Sequence, residues 1–548
     1  MTPAPAGDAE PARIHEMRIV VECAERPGSD GLAEVLDEAM AGWLATPLLR
    51  EEDRIWVISG QVAELVGTAG YARVAHTLVQ RMLDSPAISR AEADLPVRPR
   101  GDTDHGGLSG PPDGGGCLPG SEAKRWALDA IRAPAAWTVP PASGGAARGG
   151  GVVIAHPDTG YTLHPNLGVD ALDLSRDRDV LDGDDDARDP LEASPWPVSF
   201  PGHGTKTASV IVGRETPGAG IVGVAPEAVL VPIRTVESVV QLFDTDVARS
   251  VEYARTIGCD VISLSLGGKG FFGLRRAIQG AVDAGMIVLA AAGNEVGIVA
   301  APASYPNCLA VAATGINDRT WPYSSRGIMV DVSAPGWCVW VAGFRWEAPG
   351  PVFDVVLESG TSYSVAHVAG VAALWLGHHG PEVLRRRYGS QVQAAFLQVL
   401  RTESRVPAGW DTAAWGAGIV DAAAMLTAPL PTLDEPAGGV AAPGVPLASA
   451  YARLGALVNR DDAAIEGALS RRLGLAGDEL GQTVSRFEGE LAFHLLEEPG
   501  FRSSLLGGPA GDRMADPHDS RATSSPGFAA RFLGAPDPTQ ATGCSCPD

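Results

Sequence analysis

Apolar residues in the middle of the chain come in short unbroken runs. GVVIAHPD, AVLVPIRTV, CDVISLSLGG, GMIVLAAAGN and CLAVAAT are examples. Runs of this length without alternation read as strands buried on both faces. Between them, stretches such as 246–257 (DVARSVEYARTI) place apolar residues at helical spacing. The alternation of the two patterns, sustained from Lys124 to about Leu426, predicts an α/β fold: a parallel sheet with helices on both faces. In such sheets functional side chains gather beyond the carboxyl ends of the strands. Three of these strands end at Asp158, Ser265 and Asn294.

The flanks are patterned differently. Residues 13–98 predict a small α/β domain, with strand-like 18–24, 54–62 and 88–97 and helical 31–44 and 71–85. A Gly/Pro-rich linker is expected at 99–121, the large α/β domain at 122–427, and a second linker at 428–449. A helical block follows at 450–506. The Gly/Pro/Ser/Asp-rich remainder, 507–548, reads as a disordered tail.

Composition narrows the range of partners. Among 548 residues, 42 Lys and Arg against 66 Asp and Glu give a formal charge of −24, which repels phosphate backbones and anionic membranes. Neither nucleic acid nor membrane is expected as a partner. No basic-then-apolar leader opens the sequence and no apolar run approaches a bilayer span, so the expectation is a cytoplasmic protein. Seven scattered cysteines, Cys544 and Cys546 of the tail among them, do not suggest a disulfide framework and are expected as reduced thiols.

Four short contexts hold groups suited to nucleophilic catalysis. Asp158 closes a strand in VVIAHPDTGYTLHP. His203 sits between glycines in GHGTKTASVIVG. Asn294 ends a strand in LAAAGNEV. Ser362 opens an apolar helix in GTSYSVAHVAG. Serine chemistry needs a base for the hydroxyl proton, a group to orient that base, and donors for the oxyanion. Taken singly, each context is ordinary: a turn, a loop histidine, a strand end and a helix cap. Their weight comes from all four occurring in order on one α/β pattern.

With those residues in view, the segment 124–426 resembles the subtilisin-like serine peptidase family, the subtilases, whose triad runs Asp, His, Ser along the chain. DTG at 158–160, HGTKTAS at 203–209, SLGG at 265–268, AAGN at 291–294 and the serine box at 360–370 carry the resemblance. It implies a serine endopeptidase acting on peptide or protein substrates. Ser362 would be the nucleophile, His203 the base and Asp158 its orienting carboxylate, with Asn294 and the Ser362 N–H at the oxyanion. It further implies a substrate-binding edge at Ser265, Leu266, Gly267 and Gly268. The same edge, Ala291–Asn294 (with Ala292 and Gly293) and the loop up to Pro302 would bound a roomy specificity pocket, with Ala300 at its base and Glu295 at its rim, for an apolar or aromatic side chain.

The serine box departs from the family pattern at two places. Tyr363 stands where a methionine is usual, and Ala366 where a proline is usual. A second reading stays open: a catalytically impaired peptide-binding or regulatory pseudoprotease, or an autoprocessing protease dedicated to one substrate. No cofactor is required by the chemistry. The acidic stretch 177–190, from Asp177 to beyond Asp189, reads either as a calcium loop or as a solvated acidic loop. The N-terminal domain reads either as a propeptide able to inhibit intramolecularly or as an unrelated interaction domain.

Overall fold

The computed structural model describes residues 16–25, 27, 40, 42–49, 54–62, 67–96, 117–168, 170–191, 200–218, 220–240, 242–294, 297–347, 350–433, 449–507 and 517–535. The chain divides into two compact units. One is formed by 1–95, 193–199 and 468–548, and the other by 96–192 and 200–467.

In the first unit the N-terminal segment supplies strands β1 (Glu16–Cys23), β2 (Leu44–Pro47) and β3 (Ile55–Gln61), helix α1 (Gly67–Met82) and strand β4 (Ile88–Asp94). The strands form an antiparallel sheet in the order β2-β3-β1-β4, with Ile19 opposite Ile58 and Ala93. Helix α1 packs on β1 and β4. Leu44 begins a strand rather than closing a helix, and most of the helix expected at 31–44 lies outside the described residues.

The second unit opens with the short helices α2 (Trp126–Ala130) and α3 (Ala133–Ala136). Strands β5 (Val153–Asp158) and β6 (Arg178–Asp179) precede α4 (His203–Val212). Then come β7 (Val229–Arg234), α5 (Asp244–Thr256), β8 (Val261–Leu264), α6 (Phe272–Asp283), β9 (Ile287–Ala291), β10 (Leu309–Thr314) and β11 (Val332–Pro335). The seven strands form a parallel sheet in the order β11-β10-β9-β8-β5-β7-β6, flanked by helices. This is the α/β architecture that the unbroken apolar runs predict. Every residue of β8, β9 and β10 is buried, as a sheet covered on both faces requires.

Beyond the sheet lie a hairpin of β12 (Val339–Glu347) and β13 (Gly350–Glu358) and helix α7 (Thr361–His379). Helices α8 (Pro381–Tyr388), α9 (Val392–Glu403), α10 (Thr412–Trp415), α11 (Ala422–Thr427) and α12 (Ala450–Leu457) follow. All of α7 is buried, packed against β8 to β11, which explains why it is apolar all round rather than on one stripe. Its single internal histidine in GTSYSVAHVAG, His367, is a core residue. Burial pushes its imidazole down to about 4, and neutral Nδ1–H donates to the Tyr363 carbonyl at 2.7 Å.

After α13 (Asp462–Leu473), helices α14 (Gly477–Arg486), α15 (Glu488–Glu497), α16 (Pro499–Leu506), α17 (Pro517–Thr523) and α18 (Pro526–Phe532) complete the first unit. The last two correct the expectation of a disordered tail. Phe528 and Phe532 are buried and stack on each other at 4.4 Å between ring centroids, with Phe487 packed at their edges. A few aromatic anchors outweigh a polar, Gly/Pro-rich composition there. Cys544 and Cys546 lie outside the described residues.

The expectation for the cysteines is also overturned in part. Cys117 and Cys338, 221 positions apart, form a disulfide; Cys23, Cys259 and Cys308 are free and buried. The fold, not the local spacing, brings the pair together.

Candidate active site

Asp158 is the last residue of β5 and His203 the first of α4, so sheet topology sets their separation. Glycine makes the approach feasible: a Cβ on Gly204 would lie 2.1 Å from the Gly160 carbonyl oxygen. His203 Nδ1 and Asp158 Oδ1 are 2.7 Å apart. The carboxylate also accepts from the Thr159 backbone N–H at 2.7 Å and from Thr207 Oγ1 at 3.3 Å. Burial would raise the Asp158 carboxyl, but the neighbouring His203, the bond to it and the Thr159 N–H outweigh burial and hold it below its usual range. Asp158 is therefore an anion throughout the neutral range, and Nδ1 of His203 carries the proton it accepts.

Beneath this pair lies a second imidazole. His156 Nε2 stands 3.0 Å from Thr207 Oγ1 and 3.9 Å from Asp158 Oδ2. Burial pushes its ionisation down, so it is a buried neutral neighbour of the Asp158 carboxylate.

Ser362 occupies the first turn of α7 and is 8% exposed. Its hydroxyl donates to the Ser265 carbonyl at 3.3 Å, while Ser265 Oγ donates to the Ser362 carbonyl at 3.1 Å. The loop after β8 is thus tied directly to the start of the helix. The Tyr363 ring is buried, 6.4 Å from the His203 ring and tilted by 41°. The Lys206–Glu358 ion pair joins α4 to the strand that leads into α7.

Asn294 follows β9. Its Oδ1 accepts from both the backbone N–H and the hydroxyl of Thr361, at 3.0 and 2.9 Å. Thr361 Oγ1 in turn accepts from the Gly293 N–H at 3.1 Å. With the carbonyl end so anchored, the Nδ2 end is directed the other way, and a Cβ on Gly360 would lie 3.7 Å from it. Thr361 and Thr207 were missed by sequence reasoning. Both lie inside the quoted boxes, but their roles emerge only when β5, β9, α4 and α7 are assembled.

The predicted binding edge is partly engaged. Gly267 N–H donates to the Val239 carbonyl, and Gly268 exchanges bonds in both directions with Ala301. A Cβ on Gly267 would lie 2.9 Å from the Ala300 Cβ, so these two predicted residues are neighbours. Leu266 and Ala292 are buried, and Glu295 lies outside the described residues. The acidic stretch is spent largely on protein partners. Asp179 and Asp182 pair with Arg234, and Asp185 with Arg178; Asp189 accepts from Thr159 Oγ1 and the Gly202 N–H. Among the described residues no group of three or more His, Cys, Asp or Glu side chains is arranged to hold a metal ion.

A buried carboxylate–imidazole pair at one strand end, a serine at the head of a core helix and an anchored amide beside it are the group types that serine hydrolase chemistry uses. Comparison with known proteins agrees. Residues 149–397 match the Subtilase family. Thermitase of Thermoactinomyces vulgaris is 36% identical over 256 residues, covering 46% of this chain and 82% of thermitase. Subtilisin E of Bacillus subtilis is 34% identical over 196 residues, covering 35% of this chain and 49% of that relative. The structure of fervidolysin from Fervidobacterium pennivorans shares the fold at TM-score 0.53 and 20% identity, covering 78% of this chain and 65% of the other. The chain belongs to the subtilase family. It is a serine-type endopeptidase and acts on peptide or protein substrates.

Proposed function

We propose that the chain hydrolyses peptide bonds through Asp158, His203 and Ser362, with Asn294 in the oxyanion hole. The 2.7 Å contact between His203 Nδ1 and the buried Asp158 carboxylate carries this reading. It fixes the tautomer that leaves Nε2 as an acceptor. In the reaction the Ser362 hydroxyl gives up its bond to the Ser265 carbonyl and donates to that nitrogen. His203 then takes the proton as Oγ attacks the scissile carbonyl. The negative oxygen is met by Asn294 Nδ2 and the Ser362 N–H, aided by the α7 dipole. His203 returns the proton to the leaving amine, and a water repeats the cycle on the acyl-enzyme.

A substrate strand laid along 265–268 must displace the Val239–Gly267 hydrogen bond or run beside it. Small residues at Gly267, Gly293 and Ala300 support preference for an apolar or aromatic side chain. A peptide-library profile tests this: cleavage after large apolar residues is expected, and cleavage confined to acidic or basic sites would sink the assignment. The Cys117–Cys338 disulfide favours an oxidising compartment over the cytoplasm.

A further inference from the structure

The N-terminal sheet and the C-terminal helices of the first unit belong to sequence regions almost four hundred residues apart, for example Arg90 and Glu488. Their contacts are nevertheless those of a single core. Arg486 sits at the end of α1: its Nε donates to Gln80 Oε1 at 2.8 Å, and its Nη2 to the Gln80 carbonyl at 3.1 Å and to Asp84 Oδ1 at 2.7 Å. A cation there satisfies a helix-terminal carbonyl and meets the negative end of the helix dipole. On β4, Arg90 bridges its strand neighbour Glu92 and Glu488 of α15, each at 3.1 Å. The two elements approach so closely that a Cβ on Gly489 would stand 3.1 Å from Glu92 Cγ.

The seam is anchored by a buried carboxylate that both segments share. Glu490 Oε1 lies 3.8 Å from His76 Nδ1 of α1, whose ring packs edge-on against Phe493 at 5.1 Å. From the C-terminal side Glu490 accepts the Ser525 N–H at 2.6 Å and its hydroxyl at 2.8 Å. A four-stranded sheet with one helix is small enough to be marginal alone, and here its helix is covered by another part of the chain.

We infer that residues 16–95 remain bound to the C-terminal helices after the connection at 97–116 is cut. The C-terminal helices are thus the docking surface for the chain's own N-terminal fragment, and cutting the connection does not by itself release that fragment. Whether the fragment inhibits the protease is a separate matter. The inference needs no activity from Ser362.

The test uses the full chain carrying Ser362→Ala and a site for a sequence-specific protease inserted between Gly106 and Gly107. After complete cutting, the N-terminal fragment is expected to co-elute with the remainder in size-exclusion chromatography, even in 0.5 M salt (on the order of a 4 Å screening length). It is expected to separate from a cut Arg486→Ala/Glu488→Ala/Gly489→Phe variant. Separation from the cut parent, with the remainder still folded by circular dichroism, overturns the inference. So does retention by the triple variant, because the seam named here would then not be what holds the fragment. Hydrogen exchange gives a second readout: the amides of α1 should stay protected after cutting in the parent, and unprotected amides contradict the inference.

Discussion

Among the described residues, a serine, a histidine and a carboxylate are grouped at two places, and only in the second does the serine hydroxyl stand at the imidazole. In the catalytic unit they are Ser362, His203 and Asp158. In the first unit Ser524 Oγ lies 3.0 Å from His494 Nε2, and His494 Nδ1 lies 3.0 Å from Glu498 Oε2. By composition the second row is as complete as the first. Its surroundings differ. His494 is 0% exposed and stacked on Phe528 at 4.6 Å, while the Ser524 hydroxyl is also bonded to the Ser520 carbonyl at 2.5 Å. No substrate carbonyl can reach it. The first row lies at the carboxyl end of a parallel sheet, with an anchored amide beside the serine and a helix beginning there. The comparison teaches that a triad is defined by access and by donors for the oxyanion, not by three residue types.

Replacing each serine by alanine separates the two rows most strongly. Ser362→Ala should lower kcat by about 10⁶-fold, whereas Ser524→Ala should leave kcat within a factor of about two; peptide hydrolysis assays read both. Equal losses would dissolve the distinction. Asn294→Ala should lower kcat by about 100- to 1,000-fold with little change in KM, as expected for a donor used only in the transition state. Thr361→Val removes a hydroxyl that holds Asn294 Oδ1, and should cost about 10-fold in kcat, with Thr361→Ser restoring most of it. An unchanged kcat in Thr361→Val would show that the amide needs no such anchor.

The smallest effect concerns the pH response of the buried row. Burial alone would lower His494, but the Glu490 and Glu498 carboxylates raise it above its ordinary 6.5. Burial alone would raise Glu490 and Glu498, but His76 and His494 hold Glu490, and His494 holds Glu498, below their ordinary 4.5. The His494 contribution is complete below about 6.5 and is lost as pH rises through its raised folded value. The carboxylate contribution is complete above about 4.5 and is lost as pH falls through the lowered folded values. The first unit should therefore melt highest between about pH 4.5 and 6.5, falling by a few degrees toward pH 9. His494→Gln should flatten the alkaline fall in a calorimetric scan, and an unaltered slope would assign it elsewhere.

Much of the catalytic unit was legible in sequence because its determinants are local. Buried parallel strands write unbroken apolar runs, and Asp158, His203, Asn294 and Ser362 each sit in a short box at an element end. What required coordinates was non-local. Thr361 and Thr207 act across elements, and Cys117 meets Cys338 over 221 positions. The hairpin 339–358 does carry a turn signal, Pro349-Gly350-Pro351, but its strands lie outside the sustained apolar runs and were missed by sequence reasoning. Helices α17 and α18 depend on Phe528 and Phe532 docking against residues distant in sequence, which composition alone reads as a tail.

The central claim is that Ser362, and no other serine, is the nucleophile. A fluorophosphonate probe followed by mass spectrometric mapping tests it directly. The account predicts one labelled residue, Ser362, in folded wild-type protein, and no labelling in Ser362→Ala. Folded wild-type protein that takes no label, or label mapped to another serine, would contradict it.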